Sequence, residues 1–410
     1  MPISKKQMQI MAFPFTKYDA LICDGAIRSG KTVFMMISFV DDAMRRYNGQ
    51  WFGICGKTVD STVKNIIAPY IQLTGIKEKY KIQWKRSDKL LIVSQGNKQN
   101  VFEIFGGKDE SSFMLIQGRT LAGVLLDEVA LQPRSFVEQA LARCSVEGSR
   151  LWFNCNPDSP EHWFYKEWIC KPKTKNAMRL QFQLEDNPAL SQKIIDRYKA
   201  LYSGVFYRRY ILGEWCMAEG LIYQFDKAEH CATELPQAAK DGYGEWYISC
   251  DYGTLNPFSA GLWWVYQQMA IRVCEYYYSG RGSSLQKTDE EYYQELEKLA
   301  GGRDIRAVIV DPSAASFIAT IRRHGRFSVR KAKNEVLPGI RLVATMLKAG
   351  VIKIAEGCND AIREFGLYRW DEKGEVDRPV KENDHAMDDI RYFCATVMRR
   401  IWRGLEDEED

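Results

Sequence analysis

The sequence predicts an α/β protein of two domains, the first on a mainly parallel sheet and the second on a mixed sheet. Three observations carry this. A chain of 410 residues exceeds what one hydrophobic core supports. Its first half alternates short apolar runs with helix-patterned stretches, as parallel strands and their crossovers require. Its second half resumes that alternation after a Gly- and Pro-punctuated stretch, beginning with two long runs joined at a short turn.

The runs "ALICDG", "WFGICGK", "KLLIVSQG", "VFEIFGG", "GVLLDEVA" and "RLWFNCNP" read as strands. "KTVFMMISFVDDAMRRY" and "STVKNIIAPYIQLTG" have helical spacing and lie between some of them. "SQKIIDRYKALYSGVFYRRYILGEW" reads as helix broken at Gly204. These place a first domain at 1–215, with a helical region at about 185–215, a linker at 216–245 and a second domain at 246–410. In the second domain "WYISCDYG" is a strand, and "NPFSAGLWWVYQQMAIRVCEYYYSG" is two strands joined at Gln267-Gln268. "TDEEYYQELEKLAGG" is a helix capped by Thr288 and ended by glycines. "IRAVIVD" is a buried strand, and "DHAMDDIRYFCATVMRRIW" is a closing amphipathic helix. The acidic tail "LEDEED" reads as solvated.

Composition excludes several classes. Hydrophobic residues at 46% and charged residues at 27% are those of a globular chain. No apolar run approaches the ~20 residues that span a bilayer, and a start without a long apolar segment or small-residue cleavage site leads us to expect no secretory signal. Eleven scattered cysteines without a CxxC pair point to reduced thiols and a cytosolic setting. A net charge of +4 permits an acidic partner such as DNA without requiring one. The basic clusters "IRRHGRFSVRKAK" and "VMRRIWR" suit phosphates or a solvated face equally.

"DGAIRSGKT" carries the first sharp signal. Gly25-x4-Gly30-Lys31-Thr32 meets the full GxxxxGK[ST] pattern, between an apolar strand and a helix. That is the context of a P-loop ATPase domain of the RecA/ASCE kind. The glycines let backbone N–H groups turn inward round phosphate, and the helix N-terminus adds positive charge. Ser29 and Gly30 belong to the same cradle. Lys31 is expected on the β/γ-phosphates of ATP and Thr32 on Mg²⁺. Asp127 ends "GVLLD" as a second metal-binding acid, and Glu128 beside it is placed to polarise the attacking water. Arg28, inside the loop, is placed to reach the γ-phosphate. Arg119, in "QGRTLAG", is a candidate arginine finger or a plain surface ion pair. Asn154 and Asn156, in "FNCNPDSP", suit γ-phosphate sensing and also an Asx-Pro turn. Gln7 is placed to read an adenine edge.

Three carboxylates carry the second signal. Asp251 and Asp311 each end a buried strand, and Asp388 lies early in the last helix. Two strand-borne acids and one helix-borne acid form the pattern of a ribonuclease-H-like site that clamps two hard cations, Mg²⁺ or Mn²⁺. The third position stays open: Asp384, Asp388 and Asp389 compete, and His385 is close. Asp384 and Asp388 share a helix face.

In this order "GAIRSGKT", "GRTLAGVLLDEVA", "FNCNPDSPEHWFYKEW", "DNPAL…YSGVFYRRYILGEW", "AEGLIYQFD", "CDYGTLNP", "VDPSAASF" and "DHAMDDIRY" span nearly the whole chain. So ordered, they resemble the large subunit of tailed-bacteriophage terminases, especially the type of Gram-positive phages and prophages. The resemblance implies an N-terminal ATPase and a C-terminal RNase H-like endonuclease that cuts concatemeric viral DNA and drives it into a procapsid. Its Walker A positions fall on Gly25, Gly30, Lys31 and Thr32, and its Walker B acids on Asp127 and Glu128. Its coupling motif falls near Asn154 to Pro157, and its nuclease acids on Asp251, Asp311 and Asp388. It implies viral double-stranded DNA, a small terminase subunit and the portal of the procapsid as partners. It further implies no membrane, a location in the host cytoplasm, and a free monomer that forms a ring on the portal. Two rivals are a repair helicase-nuclease, which needs a second RecA-like domain, and a nucleotide-switched DNA scaffold, which has no need of Glu128.

Overall fold

The computed structural model describes residues 3–253, 257–279, 287–372 and 377–402. Its contacts divide the chain into two units, Met1–Lys199 with Val205–Met217, and Ala200–Gly204 with Ala218–Asp410. Residues 254–256 of "CDYGTLNP" and the acidic tail lie outside the described residues.

The strands of the first unit are β1 (Ala20–Gly25), β2 (Trp51–Gly56), β3 (Lys81–Lys85), β4 (Leu90–Gln95), β5 (Lys98–Gly106), β6 (Gly123–Leu126), β7 (Arg150–Cys155) and β8 (Ala177–Phe182). They form one sheet in the order β3-β4-β5-β2-β6-β7-β1-β8. From β5 to β8 in that order every pairing is parallel, and β4 and β3 add antiparallel at one edge. Successive residues alternate between two cores. Leu21, Ile54, Leu125 and Trp152 face one, and Ile22, Cys55, Leu126 and Phe153 face the other. A parallel sheet covered on both faces needs apolar side chains on both, so its strands read as unbroken apolar runs. Helices α1 (Lys5–Ala12) and α2 (Lys31–Arg46) lie against the first face. There Trp152 takes the rings of Phe13 and Phe39 edge-on, each at 5.0 Å. Helix α3 (Arg134–Ala142) sends Phe136, Val137 and Ala140 into the second core.

Two strands went unread in the sequence. β3 and β8 alternate apolar residues with Lys81, Gln83, Arg179 and Gln181, so neither makes a continuous run. The helical stretch divides into α4 (Gln192–Leu201) and α5 (Gly204–Tyr210), and Gly204, at φ +54°, starts the second piece.

The second unit carries β9 (Cys231–Ala232), β10 (Glu245–Asp251), β11 (Phe258–Tyr266), β12 (Met269–Tyr278), β13 (Ile305–Val310), β14 (Val329–Lys331) and β15 (Ile352–Ala355). Their order is β14-β13-β10-β11-β12-β15-β9. β10, β11 and β12 form an antiparallel meander, turned at Gln267-Gln268, and the outer pairings are parallel. Helix α6 (Asp289–Ala300) starts at a capping box of Thr288 and Glu291. With α7 (Ala315–His324) it covers one face through Tyr292, Leu296, Phe317 and Ile321. Helices α8 (Val336–Lys348), α9 (Asn359–Phe365) and α10 (His385–Phe393) follow. α10 crosses β10 and β11, with Phe393 stacked on Trp263 at 4.0 Å.

The stretch read as a linker, 216–245, needs correcting. β9 lies within it and pairs with β15, and Phe225 stacks on Phe365 at 4.3 Å. Its large apolar residues gather at 221–225 and are too unevenly spaced beyond that to show a period.

Trp152→Ala empties the contact between Phe13 and Phe39. It is expected to cost about 3–5 kcal/mol, read as a lower urea midpoint for the first unit. A loss below about 1 kcal/mol contradicts this packing.

Candidate functional site

The ends of β1, β6 and β7 converge on the phosphate loop. β6 pairs Leu126 with Phe153, and β1 pairs Asp24 with Cys155, so Asp127, Asn154 and Gly25 emerge side by side. Gly25 sits at φ +133°, and a Cβ there would stand 2.0 Å from the Phe182 carbonyl oxygen. Gly30 at φ +82° ends the loop and starts α2, whose first N–H groups have no side-chain cap. Such a terminus is an anion site. The loop is braced from outside. Ala26 N–H donates to Phe182 O at 2.8 Å and Ile27 N–H to Tyr210 O at 2.9 Å. The Asn187 side-chain amide donates to Arg28 O at 2.7 Å.

Inside the loop, the Lys31 ammonium donates to the carbonyls of Ala26 (2.6 Å) and Gly25 (3.1 Å), to Ser29 Oγ (3.2 Å) and to Asn156 Oδ1 (3.3 Å). Burial pushes Lys31 down to about 8, against the pull of Cys155, Cys23, Asp24 and Asp127. Asp127 is driven the other way, up to about 7, by burial and by the charge of Glu128. Asn154 Nδ2 donates to Thr32 Oγ1 at 2.8 Å and also to Asp127 Oδ1. One amide thus ties the two expected Mg²⁺ ligands together. Glu128 follows at φ +54°, a conformation rare outside glycine, which turns the chain sharply after Asp127. Gln132 donates to Asp127 O at 2.7 Å and fixes that turn. Among the described residues three polar atoms here are buried without a partner: Arg28 Nη2, Gln132 Oε1 and Asn154 Oδ1. A loop with an orphaned donor and an orphaned acceptor fits a magnesium–nucleotide.

Two expectations change. Arg119 pairs with Glu103 at 2.7 Å and lies over Trp51, the first residue of β2, at the end of the sheet away from the loop. Gln7 is 1% exposed. Its Oε1 accepts from Ser4 N–H at 2.9 Å as a helix cap, and its Nε2 leans on Ser29 O at 3.5 Å, so both ends of the amide touch protein and it braces the loop. Asp24 was missed. Fully buried, it takes Arg179 on both oxygens (2.9 and 2.8 Å) and Trp215 Nε1 (2.9 Å). Its place next to Gly25 was the available signal.

In the second unit Cys250 pairs with Val310, so Asp251 and Asp311 emerge from adjacent parallel strands. Asp251, Asp384, His385 and Asp388 line one cleft of about 540 Å³, with Tyr277, Arg363 and Lys381 also on its walls. Burial pushes Asp251 up to about 6. The hydrogen bond from His385 opposes this, and the charge of Asp388 adds to it. His385 Nδ1 stands 2.8 Å from Asp251 Oδ2. Burial alone would lower His385, but its bond to Asp251 and the charges of Asp251 and Asp384 raise it. Burial also raises Asp384. Burial would raise Asp311 too, but hydrogen bonds from Ser313, Asn334 and Tyr392 outweigh it and hold that carboxyl below its usual range. Tyr392, unread in the sequence, borders all three acids. Its phenol is pushed up by burial and then by the charges of Asp251, Asp388 and Asp311.

The expected metal cage is not formed as such. Among the described residues no group of three or more His, Cys, Asp and Glu is arranged to hold a metal ion. Each acid is turned to a protein partner instead: Asp251 to His385, Asp311 to Ser313 and Asn334, and Asp388 to Arg391 at 2.8 Å. The donor chemistry, carboxylate oxygen throughout, still suits hard cations.

Asp389 faces the sheet, away from the cleft. It is fully buried, accepts from Ser249 Oγ at 2.8 Å, from Arg272 Nη2 at 3.0 Å and from Ser259 Oγ, and faces β10 and β11. One residue along a helix turns a side chain by about 100°, which carries Asp389 out of the cleft that Asp388 lines. Both carboxylates meet buried arginines. Asp389→Asn leaves Arg272 with Glu275 alone, and Asp388→Asn leaves Arg391 with the carbonyls of Asn334 and Glu335, so each is expected to cost about 3–5 kcal/mol in urea unfolding. A loss below about 1 kcal/mol in either variant contradicts the pairing it removes.

The profile for the family described as "Terminase large subunit, T4likevirus-type, N-terminal" matches residues 22–230. The chain is similar to the large terminase of a thermophilic bacteriophage, at 47% identity over 97% of this chain and 100% of that one, with a TM-score of 0.91. Structures of that phage protein with ADP and with ATP-gamma-S are each 46% identical over 97% of this chain and 100% of theirs, with TM-scores of 0.88 and 0.87. None of the curated proteins compared matches the chain. Its ordered motifs, the profile across half its length and these near end-to-end relatives agree: the chain belongs to the terminase large-subunit family of bacteriophages.

Proposed function

We propose that the first unit hydrolyses ATP to move viral double-stranded DNA into a procapsid and that the second unit cuts that DNA. The observation that carries the reading is the single amide of Asn154 bridging Thr32 and Asp127 beside Lys31, because it joins the two metal ligands to the strand that bears Asn156. The ADP and ATP-gamma-S complexes of the thermophilic phage's large terminase support nucleotide as the ligand.

In this reading the loop N–H groups and Lys31 hold the β- and γ-phosphates. Thr32 and Asp127 hold Mg²⁺, which supplies charge neutralisation at the transferred phosphoryl. Glu128 accepts a proton from the attacking water, and Arg28 turns its orphaned nitrogen to the γ-phosphate. Asn154 and Asn156 report the state of the site, since one touches the metal ligands and the other Lys31.

In the second unit Asp251, Asp311 and Asp388, with Asp384 on the same cleft, would hold Mg²⁺ or Mn²⁺. Two such ions supply an activated water and charge for the leaving 3′ oxygen. The DNA backbone is gripped without sequence readout, so the cutting position comes from partners, a small terminase subunit and the portal. The protein acts in the host cytoplasm, alone as a monomer and as a ring on the portal. No helix of the described residues is long and apolar enough to cross a membrane.

Glu128→Gln is expected to keep nucleotide affinity within about twofold while turnover falls on the order of 10²–10⁴-fold. A variant that hydrolyses ATP at the native rate removes Glu128 from the chemistry. Plasmid nicking with Mn²⁺ should vanish in Asp251→Ala and persist in Glu128→Gln. Cleavage that survives Asp251→Ala rejects the assigned nuclease site.

A further inference from the structure

The stretch that leads into the hairpin of β3 and β4 carries an excess of positive charge. Residues 77–89 hold six basic side chains against two acidic ones, an excess equal to the +4 of the whole chain. Lys79 is tied to Asp41 at 2.7 Å. Lys77, Lys81, Lys85, Arg86 and Lys89 are exposed, and none has an ion-pair partner among the described residues.

These cations border one continuous surface. β3 turns Ile82 and Trp84 toward the core and Lys81, Gln83 and Lys85 outward. The outward row runs across the sheet through the pairs Gln83–Ile92, Ile92–Val101 and Val101–Trp51. Ile92 and Val101 are half-buried, and Trp51 is 38% exposed with the Arg119 guanidinium 5.9 Å above its ring. Lysines on an edge strand also discourage strand-to-strand aggregation. That role accounts for Lys81 and Lys85. It does not account for Arg86 and Lys89 in the turn, or for an aromatic on an inner strand with an arginine over its ring.

We propose that this face seats the phosphate backbone of double-stranded DNA. The inference rests on the DNA-motor reading above and adds the surface that grips. Lys81 and Lys85 are four residues apart on one side of a strand, hence about 13 Å apart. That matches the ~12 Å between the phosphate rows that flank a major groove. Contacts of this kind carry affinity and salt dependence, not sequence.

The test is fluorescence anisotropy of a short labelled duplex of arbitrary sequence with the full chain, divalent cation withheld, across a salt series. Lys81→Gln/Lys85→Gln/Arg86→Gln is compared with Lys17→Gln/Lys173→Gln/Lys193→Gln, which removes the same charge from exposed sites elsewhere on the unit. The hairpin variant is expected to bind at least about tenfold more weakly, with a slope of log K against log salt shallower by about 2–3. The other variant should follow the native protein. In the unaltered chain, bound duplex should slow acetylation of Lys81 and Lys85 but not of Lys17, a measurement independent of how the variants fold. Native protein that binds no duplex sinks both the motor reading and this inference. Native binding with an unaffected hairpin variant, or an equal loss in both variants, sinks this inference alone. A hairpin variant that changes self-association but not DNA binding makes the face an interface between copies and likewise overturns it.

Discussion

A charge removed from water must be met by an opposite charge or by hydrogen bonds, and both units are organised round that requirement. In the first, Lys31 and Asp127 are buried in one site and burial moves their proton affinities toward each other. Carbonyls, hydroxyls and amides make up what each lacks. Next to them Asp24 is met by Arg179 and Trp215. In the second, Asp389 is met by Arg272 and two serines, and Asp251 by His385. These pairings fix where the reactive groups stand, because a half-satisfied buried charge costs more than the strain of holding its partner.

Both units also place their polar groups at the carboxyl ends of parallel strands, where an open α/β sheet leaves a crevice. β1, β6 and β7 deliver the loop, Asp127 and Asn154, while β10 and β13 deliver Asp251 and Asp311. The helix that completes the second site is itself positioned by a buried acid. Glu364, fully buried on α9, accepts from Ala386 N–H at 2.7 Å and from Tyr277 Oη at 2.7 Å. It caps the first turn of α10 from a neighbouring helix, and no local pattern in the sequence announces that.

Much of this was legible because the responsible signals are local. The phosphate loop is a contiguous motif, and the central strands of the first sheet are apolar on both faces. The β11–β12 turn lies between two long runs. What escaped depends on partners distant in sequence. β3 and β8 look polar until the sheet that buries one side of each is known. β9 is two residues long and exists because β15 offers it an edge. Arg119 lies near the Walker acids in sequence but is carried to the far end of β2, where Glu103 holds it. Arg272, more than a hundred residues upstream, claims Asp389, while Asp384 and Asp388 both stay on the cleft.

The adjacent aspartates of α10 divide two duties by rotation alone: one looks into the cleft and its neighbour anchors the helix to the sheet. Their identities therefore belong to a phase, not to a sequence position. One residue inserted ahead of Asp388 would move Asp388 toward the Arg272 anchorage and carry what precedes it into the cleft. Drift in this helix is thus confined to changes that preserve its angular setting, and length variation between relatives is expected to gather in the loop before Asp384.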